Sequence, residues 1–182
     1  INIGLIFGLC GILGLILLLT VVAKDLPKIE SLKDYRPKQA TVLYSSKGEI
    51  AARFATERRT VVPYQRIPQI MVNAVLAAED ADFFNHKGLD YLGIFRCAVL
   101  SVLKGRTVCG GSTVTQQMVK TFLLSPERNL LRKIREAILT KRVEESLSKD
   151  EILHLYLNQI YFGHGAYGVQ EAARVYFSKN VE

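Results

Sequence analysis

The run Ile1–Ala23 carries no charged side chain, and it constrains the chain more than anything that follows. Leu, Ile, Val, Gly and Phe dominate it, with Asn2 and Thr20 as its polar residues. A helix of that length rises roughly 34 Å, enough to cross a hydrocarbon core of about 30 Å. A cleaved leader would have an apolar run of only about 7–15 residues and a small-residue cleavage site behind it. Here Lys24-Asp-Leu-Pro-Lys28 follows instead. The expectation is a retained transmembrane helix over 1–23, a polar connector over 24–39 and one globular region over 40–182.

All 24 basic and 17 acidic side chains lie beyond that span, so the globular part carries the whole net charge of +7. Such a balance suits nucleic acid, anionic lipid or a phosphate-bearing substrate. Beside a membrane helix, a lipid-linked anion is the natural choice. No zinc-finger spacing or other nucleic-acid motif competes. A chain both 49% hydrophobic and 23% charged is neither disordered nor a polytopic membrane protein. Its three cysteines form no disulfide framework. Cys10 sits in the span, and Cys97 and Cys109, the remaining pair, are expected to stay unpaired.

Ala40–Tyr44 and Ile50–Phe54 read as a hairpin around Ser45-Ser-Lys-Gly48. Beyond Pro68 the pattern is helical. Helices are expected over Gln69–Phe84, Asp90–Lys104, Thr113–Leu124, from Ser125-Pro-Glu127 to Leu147, from Ser148 to about Tyr161, and over Val169–Phe177. Capping-box spacing marks Thr113/Gln116 and Ser148/Glu151. The second helix is apolar on more than one face, too much to bury against a single neighbour, and is expected to touch lipid. The glycine-flanked loop Gly105–Gly111 is expected to be mobile without substrate.

Three constellations could carry chemistry. Glu79 falls at helical spacing with Val72, Val75, Leu76 and Phe83. It is either a helix-end acid at the stripe's edge or a desolvated carboxylate with a raised pKa, suited to take a proton. His86, near a glycine, reads as a structural hydrogen-bonder. Gly110-Gly-Ser-Thr-Val-Thr-Gln-Gln117 offers close backbone approach and free N–H groups at a helix start, with Thr113, Gln116, Gln117 and Lys120 on one face. Arg132 and Lys133 precede Glu136 by four and three residues and should keep it ionised; Arg128 lies one turn back. These are either a solvated face or an anion clamp. Two glutamates in opposite environments are a usual way of separating acid and base roles.

In this order, the blocks resemble the bacterial peptidoglycan glycosyltransferase family, the membrane-anchored polymerase module of class A penicillin-binding proteins. The matches are Glu79-Asp80-x-x-Phe83-x-x-His86-x-Gly88, Gly110-Gly111-Ser112-Thr113-x-Thr115-Gln116-Gln117 and Arg132-Lys133-x-x-Glu136. Lys149–Asn158 followed by Ile160-Tyr-Phe-Gly163, and Ala172–Phe177, complete the set. The hairpin and Ser125-Pro-Glu-Arg128 look most like the 1A branch. One departure is Ser178, where the family usually has glycine. Another is that family members continue beyond the equivalent of Glu182, so this reads as a C-terminally incomplete domain without the transpeptidase domain of class A proteins.

The resemblance implies a mainly helical, lysozyme-like domain with a short hairpin and a membrane-dipping jaw, behind one transmembrane helix. It implies polymerisation of lipid II into β-1,4 glycan strands, with inversion at the donor anomeric carbon and release of polyprenyl diphosphate. Glu79 would be the general base. Glu136 would position the leaving diphosphate, directly or as a ligand of a divalent cation such as Mg²⁺. The substrate-binding set would be Asp80, Phe83, Gly111, Ser112, Thr113, Gln116, Gln117, Lys120, Arg128, Arg132 and Lys133. Implied partners are lipid II, the growing lipid-linked strand, the membrane and other cell-wall synthesis proteins, with no nucleic acid. The implied location is the bacterial inner membrane, single-pass, with the catalytic domain on the periplasmic face. A glycan-cleaving enzyme would also need paired carboxylates but not the Lys/Arg cluster. An anchored scaffold would need neither glutamate.

Overall fold

The structure, a computed structural model, describes residues 3–24, 26–27, 29, 32, 41–48, 50–54, 58–106, 109–127 and 129–182. Most of the connector 24–39 therefore lies outside the described residues, as does Arg128. Helix α1 spans Ile3–Lys24. The expected hairpin forms from β1 (Thr41–Tyr44) and β2 (Ile50–Phe54), antiparallel, with Thr41 opposite Phe54 and a bulge at Leu43/Tyr44. A two-residue strand β3 (Arg58–Arg59) precedes α2 (Gln69–Glu79), α3 (Tyr91–Leu103), α4 (Val114–Leu123), α5 (Leu130–Ser146) and α6 (Lys149–Gln159). Strand β4 (Ala166–Tyr167) pairs parallel with β3, and α7 (Val169–Phe177) closes the chain. Among the described residues the architecture is mainly helical, with two small two-stranded sheets.

Helix α4 lies against both α5 and α6. The core between them is built from Val114, Met118, Val119, Leu139, Val143, Ile152, Leu153 and Leu157, joined by Val72, Leu76 and Phe83. These are the inward positions of amphipathic helices, and their burial supplies most of the driving force. Both expected capping boxes form, at Thr113/Gln116 and Ser148/Glu151.

Two helix boundaries differ from expectation. Helix α2 ends at Glu79 rather than Phe84, because Asp80 leaves helical geometry (φ −163°, ψ 73°) to put its carboxylate elsewhere. Helix α5 starts at Leu130, not after Ser125, because Asn129 rather than Ser125 is its cap: Asn129 Oδ1 accepts the Arg132 N–H at 2.7 Å. Ser178 ends α7 in the left-handed region, φ 54°, a position where glycine carries no steric penalty.

Helix α3 is apolar and unpacked. None of its residues is buried, and Phe95 is 69% exposed. The free-cysteine expectation is overturned: Cys97 on α3 and Cys109 form a disulfide, their Cα atoms 5.7 Å apart. The turn after α3 brings Cys109 back beside Cys97, a proximity that counting cysteines along the chain could not show. Of the loop expected to be mobile, Thr107 and Val108 lie outside the described residues, and Cys109 is tied to α3. In unfolded, unreduced protein a maleimide should therefore modify one thiol, Cys10, and three after reduction. Three labelled before reduction would show the bond absent.

Six side chains of α1 lie outside the described set, so the described ones fall in short runs. Over the described residues alone, no helix is long and apolar enough to cross a membrane. The last turn of α1 packs on α5, with Val22 buried and Arg142 Nη2 3.5 Å from the Ala23 carbonyl.

His154 on α6 is held below its ordinary pKa by burial. A histidine kept neutral by the fold must take up a proton on acid unfolding. Stability should therefore fall as pH drops through about 6.5, the unfolded value. Melting temperatures from pH 5 to 8 should show a shallower acid slope for His154→Gln than for the wild type. Identical slopes would dismiss His154 as the titrating group.

Candidate active site

The site is assembled from the first residue after α2. Asp80 is buried, and its Oδ2 accepts the Val114 N–H of α4 at 2.9 Å. His86 Nε2 stands 2.9 Å from Asp80 Oδ1. The Gly88 N–H donates to His86 Nδ1 at 3.1 Å, so the ring proton sits on Nε2 and is donated to Asp80. Thr113 Oγ1 donates to the Gly88 carbonyl at 2.6 Å. Gly88 has φ +89°, and a Cβ there would meet Thr140 Cγ2 at 2.7 Å, so the motif's last glycine is required on both counts. Lys149 Nζ donates to the His86 carbonyl at 2.8 Å and lies 4.2 Å from the centre of the Phe83 ring. It also pairs with Glu144, which accepts from Thr115 Oγ1.

Most of the first block is thus a brace. Phe83 has no accessible surface to offer a substrate, and both Asp80 oxygens are engaged inside the protein. Both residues fix the end of α2 against α4, and Asp80 also lines the cavity beside Glu79. His86 is structural, as the sequence suggested.

Glu79, which the brace holds, is exposed. The apolar stripe that would have desolvated it does not continue, because the helix ends at Glu79 and Phe83 turns into the core instead. Gln117 Nε2 donates to Glu79 Oε2 at 2.8 Å. The preceding residue, Gln116, is buried and donates from Nε2 to Glu136 Oε1 at 3.2 Å. Consecutive residues of a helix point about 100° apart, so α4 reaches one glutamate with each of two adjacent glutamines.

Glu136 is buried on α5. Arg132 Nη1 donates to its Oε2 at 3.0 Å, and Lys133 Nζ pairs with its Oε1. Lys133 Nζ also reaches Ser112 Oγ at 3.1 Å, tying the second block to the third. The Arg132 Nε is buried without a partner among the described residues. Lys120, one turn beyond Gln116 and Gln117, is exposed.

A cavity of about 180 Å³ joins Glu79, Gly111, Ser112 and Thr113 to one face of α3. Asp82, Asp90 and Arg96 also line it. The sequence reading passed over these three, and only their proximity to the Glu-Asp motif and to the apolar helix hinted at them. A larger cavity, about 630 Å³, lies between Val61–Gln65 and Leu147–Leu155 and contains neither glutamate.

Glu136 does not fit a metal ligand. Its oxygens are already taken by two cations and an amide, and the described residues contain no cluster of acids, histidines or cysteines able to hold a metal ion.

Residues 47–182 match the family model described as Transglycosylase, and the chain belongs to that family. Over 98% of its length it is 43% identical to Penicillin-binding protein 1A of Neisseria meningitidis serogroup A / serotype 4A. It is 47% identical to Penicillin-binding protein 1A of Escherichia coli K12 over 88% of the chain, and 42% identical to that of Aquifex aeolicus over 97%. The chain spans 23%, 19% and 25% of those relatives respectively.

Proposed function

We propose that this chain is the polymerising module of a peptidoglycan glycosyltransferase acting on lipid II. The observation that carries this is the pair of adjacent glutamines on α4, one bonded to an exposed glutamate and the other to a buried glutamate held between Arg132 and Lys133. In the reaction the 4-hydroxyl of the acceptor sugar attacks C1 of the lipid-linked donor. Glu79 takes the hydroxyl proton, the C1–O bond to the diphosphate breaks, and the anomeric centre inverts as polyprenyl diphosphate leaves. Arg132, Lys133 and Lys120, with Arg128, meet the charge that develops on the leaving group. Fixed cations at the point where charge grows are the strongest single device for such a step. Ser112, Thr113 and Gly111 border the cavity beside Glu79, where sugar oxygens would lie. A divalent cation in this site would be carried by the diphosphate oxygens, since Glu136 has none to spare.

The surroundings fit a membrane-bound substrate. Helix α1 has 22 residues and rises about 33 Å, and its described large apolar side chains from Phe7 to Val21 are exposed, Val22 being buried against α5. We assign it as the anchor, with the catalytic region on the outer face of the bacterial inner membrane. Helix α3, exposed and apolar beside the cavity, is assigned to the lipid surface that delivers the substrate. Growing glycan strand and other cell-wall synthesis proteins are the partners this implies.

The test is full-length protein with radiolabelled lipid II in detergent. Formation of polymer supports the polymerase. Shortening of preformed glycan without polymer would make it a hydrolase, and neither product would leave a scaffold.

A further inference from the structure

We infer that Tyr156 is a positioning residue for Glu79, acting through the side-chain amide of Gln117. The inference deepens the polymerase reading and rests on it for the role of Glu79.

Tyr156 lies on α6, with its ring buried in the core. Its Oη donates to Gln117 Oε1 at 3.2 Å, and Gln117 Nε2 donates to Glu79 Oε2 at 2.8 Å. A glutamine amide can sit either way round, and one orientation would turn its carbonyl oxygen on the Glu79 carboxylate. The acceptor-only carboxylate takes the NH₂ end, and the phenol, by donating to Oε1 at the other end, holds the amide in place on Glu79. Burial, with the nearby charges of Glu79 and Asp80, pushes the Tyr156 phenol far above its ordinary pKa. It therefore keeps its proton throughout the range in which a carboxylate titrates, and remains a donor.

Oε2 of Glu79 is thereby held, which leaves Oε1 to meet the acceptor hydroxyl. A hydrogen bond to the ionised form also favours that form. The relay thus fixes both the direction and the readiness of the base from a residue that touches no substrate. Among the described residues, Asp80 with its partner His86, and Asp82, Asp90 and Arg96 along the shared cavity, are charged or titratable groups near Glu79. They are the same in wild type and in a Tyr156 variant.

The experiment compares wild type, Tyr156→Phe, Gln117→Leu and the double variant in full-length protein. Tyr156→Phe should lower kcat for lipid II about tenfold, the worth of one hydrogen bond, with KM changed less than about twofold. The acidic limb of its rate profile should move to higher pH, because the carboxylate loses support. In the Gln117→Leu background, Tyr156→Phe should add nothing to either effect. An unmoved acidic limb, or full additivity, would overturn the relay.

Infrared difference spectra of ¹³C-glutamate-labelled protein, with Glu79→Gln as the subtraction, read the Glu79 titration without turnover. A midpoint shifted upward by Tyr156→Phe upholds the relay even if lipid II is not polymerised, in which case the polymerase reading alone fails. No shift overturns the relay even in an active polymerase.

Discussion

Glu79→Gln should abolish lipid II polymerisation, lowering turnover by about 10²–10⁴-fold, the usual contribution of a positioned general base. The amide keeps the shape of the carboxylate, and its oxygen still accepts from Gln117 Nε2. Only the basicity is lost. Glu79 lies at the exposed end of α2, while the cations of the third block gather around Glu136 on another side of α4. Binding of a non-reacting diphosphate analogue should therefore match the wild type. The fold should also be indifferent, with a melting temperature within about 1 °C, as for most surface substitutions. Turnover and analogue binding measured on one preparation check both halves. Substantial polymer from Glu79→Gln would remove Glu79 from the base role.

The helices of this site were legible because their signals are local. Thr113 with Gln116, and Ser148 with Glu151, cap their helices as the spacing alone requires. The pairing of Arg132 and Lys133 with Glu136 was legible for the same reason, since residues three and four apart on a helix face each other. What could not be read involves partners far apart in sequence. Asp80 breaks α2 because the Val114 N–H and His86 compete for its carboxylate, and nothing within the Gln69–Phe84 pattern announces either partner. That break exposes Glu79 and sends Phe83 into the core, reversing the environment that helical spacing suggested. The two-residue ladder between β3 and β4, the Cys97–Cys109 bond and the Tyr156–Gln117–Glu79 chain are all of this long-range kind. The matched motifs mark which residues matter but not what each does: Phe83, His86 and Lys149 brace the site, Asp80 both braces it and lines the cavity, and Glu79 is exposed beside that cavity.

Glu136→Gln should behave quite differently, costing stability as well as rate. The wild-type carboxylate is buried and accepts from Arg132, Lys133 and Gln116 together. An amide there cannot balance two cations, and its own NH₂ must face one of these donors. Removing one member of a buried charge pair typically costs about 3–5 kcal/mol. The Lys133 side chain is 47% exposed and water screens its share, so the expected loss is at the lower end, about 3 kcal/mol. For a domain of this size that corresponds to a fall in melting temperature of about 6–12 °C. Polymerisation should fall as well, because Arg132 and Lys133 lose the anchor that aims them at the leaving diphosphate. The deficit should be the same at every Mg²⁺ concentration, since the wild-type carboxylate is committed to cationic side chains rather than to a metal ion. Thermal melts and Mg²⁺ titrations of lipid II turnover, run on wild type and variant together, make the check. A variant as stable as the wild type, with its rate restored by added Mg²⁺, would make Glu136 a metal ligand and overturn the structural role argued for it.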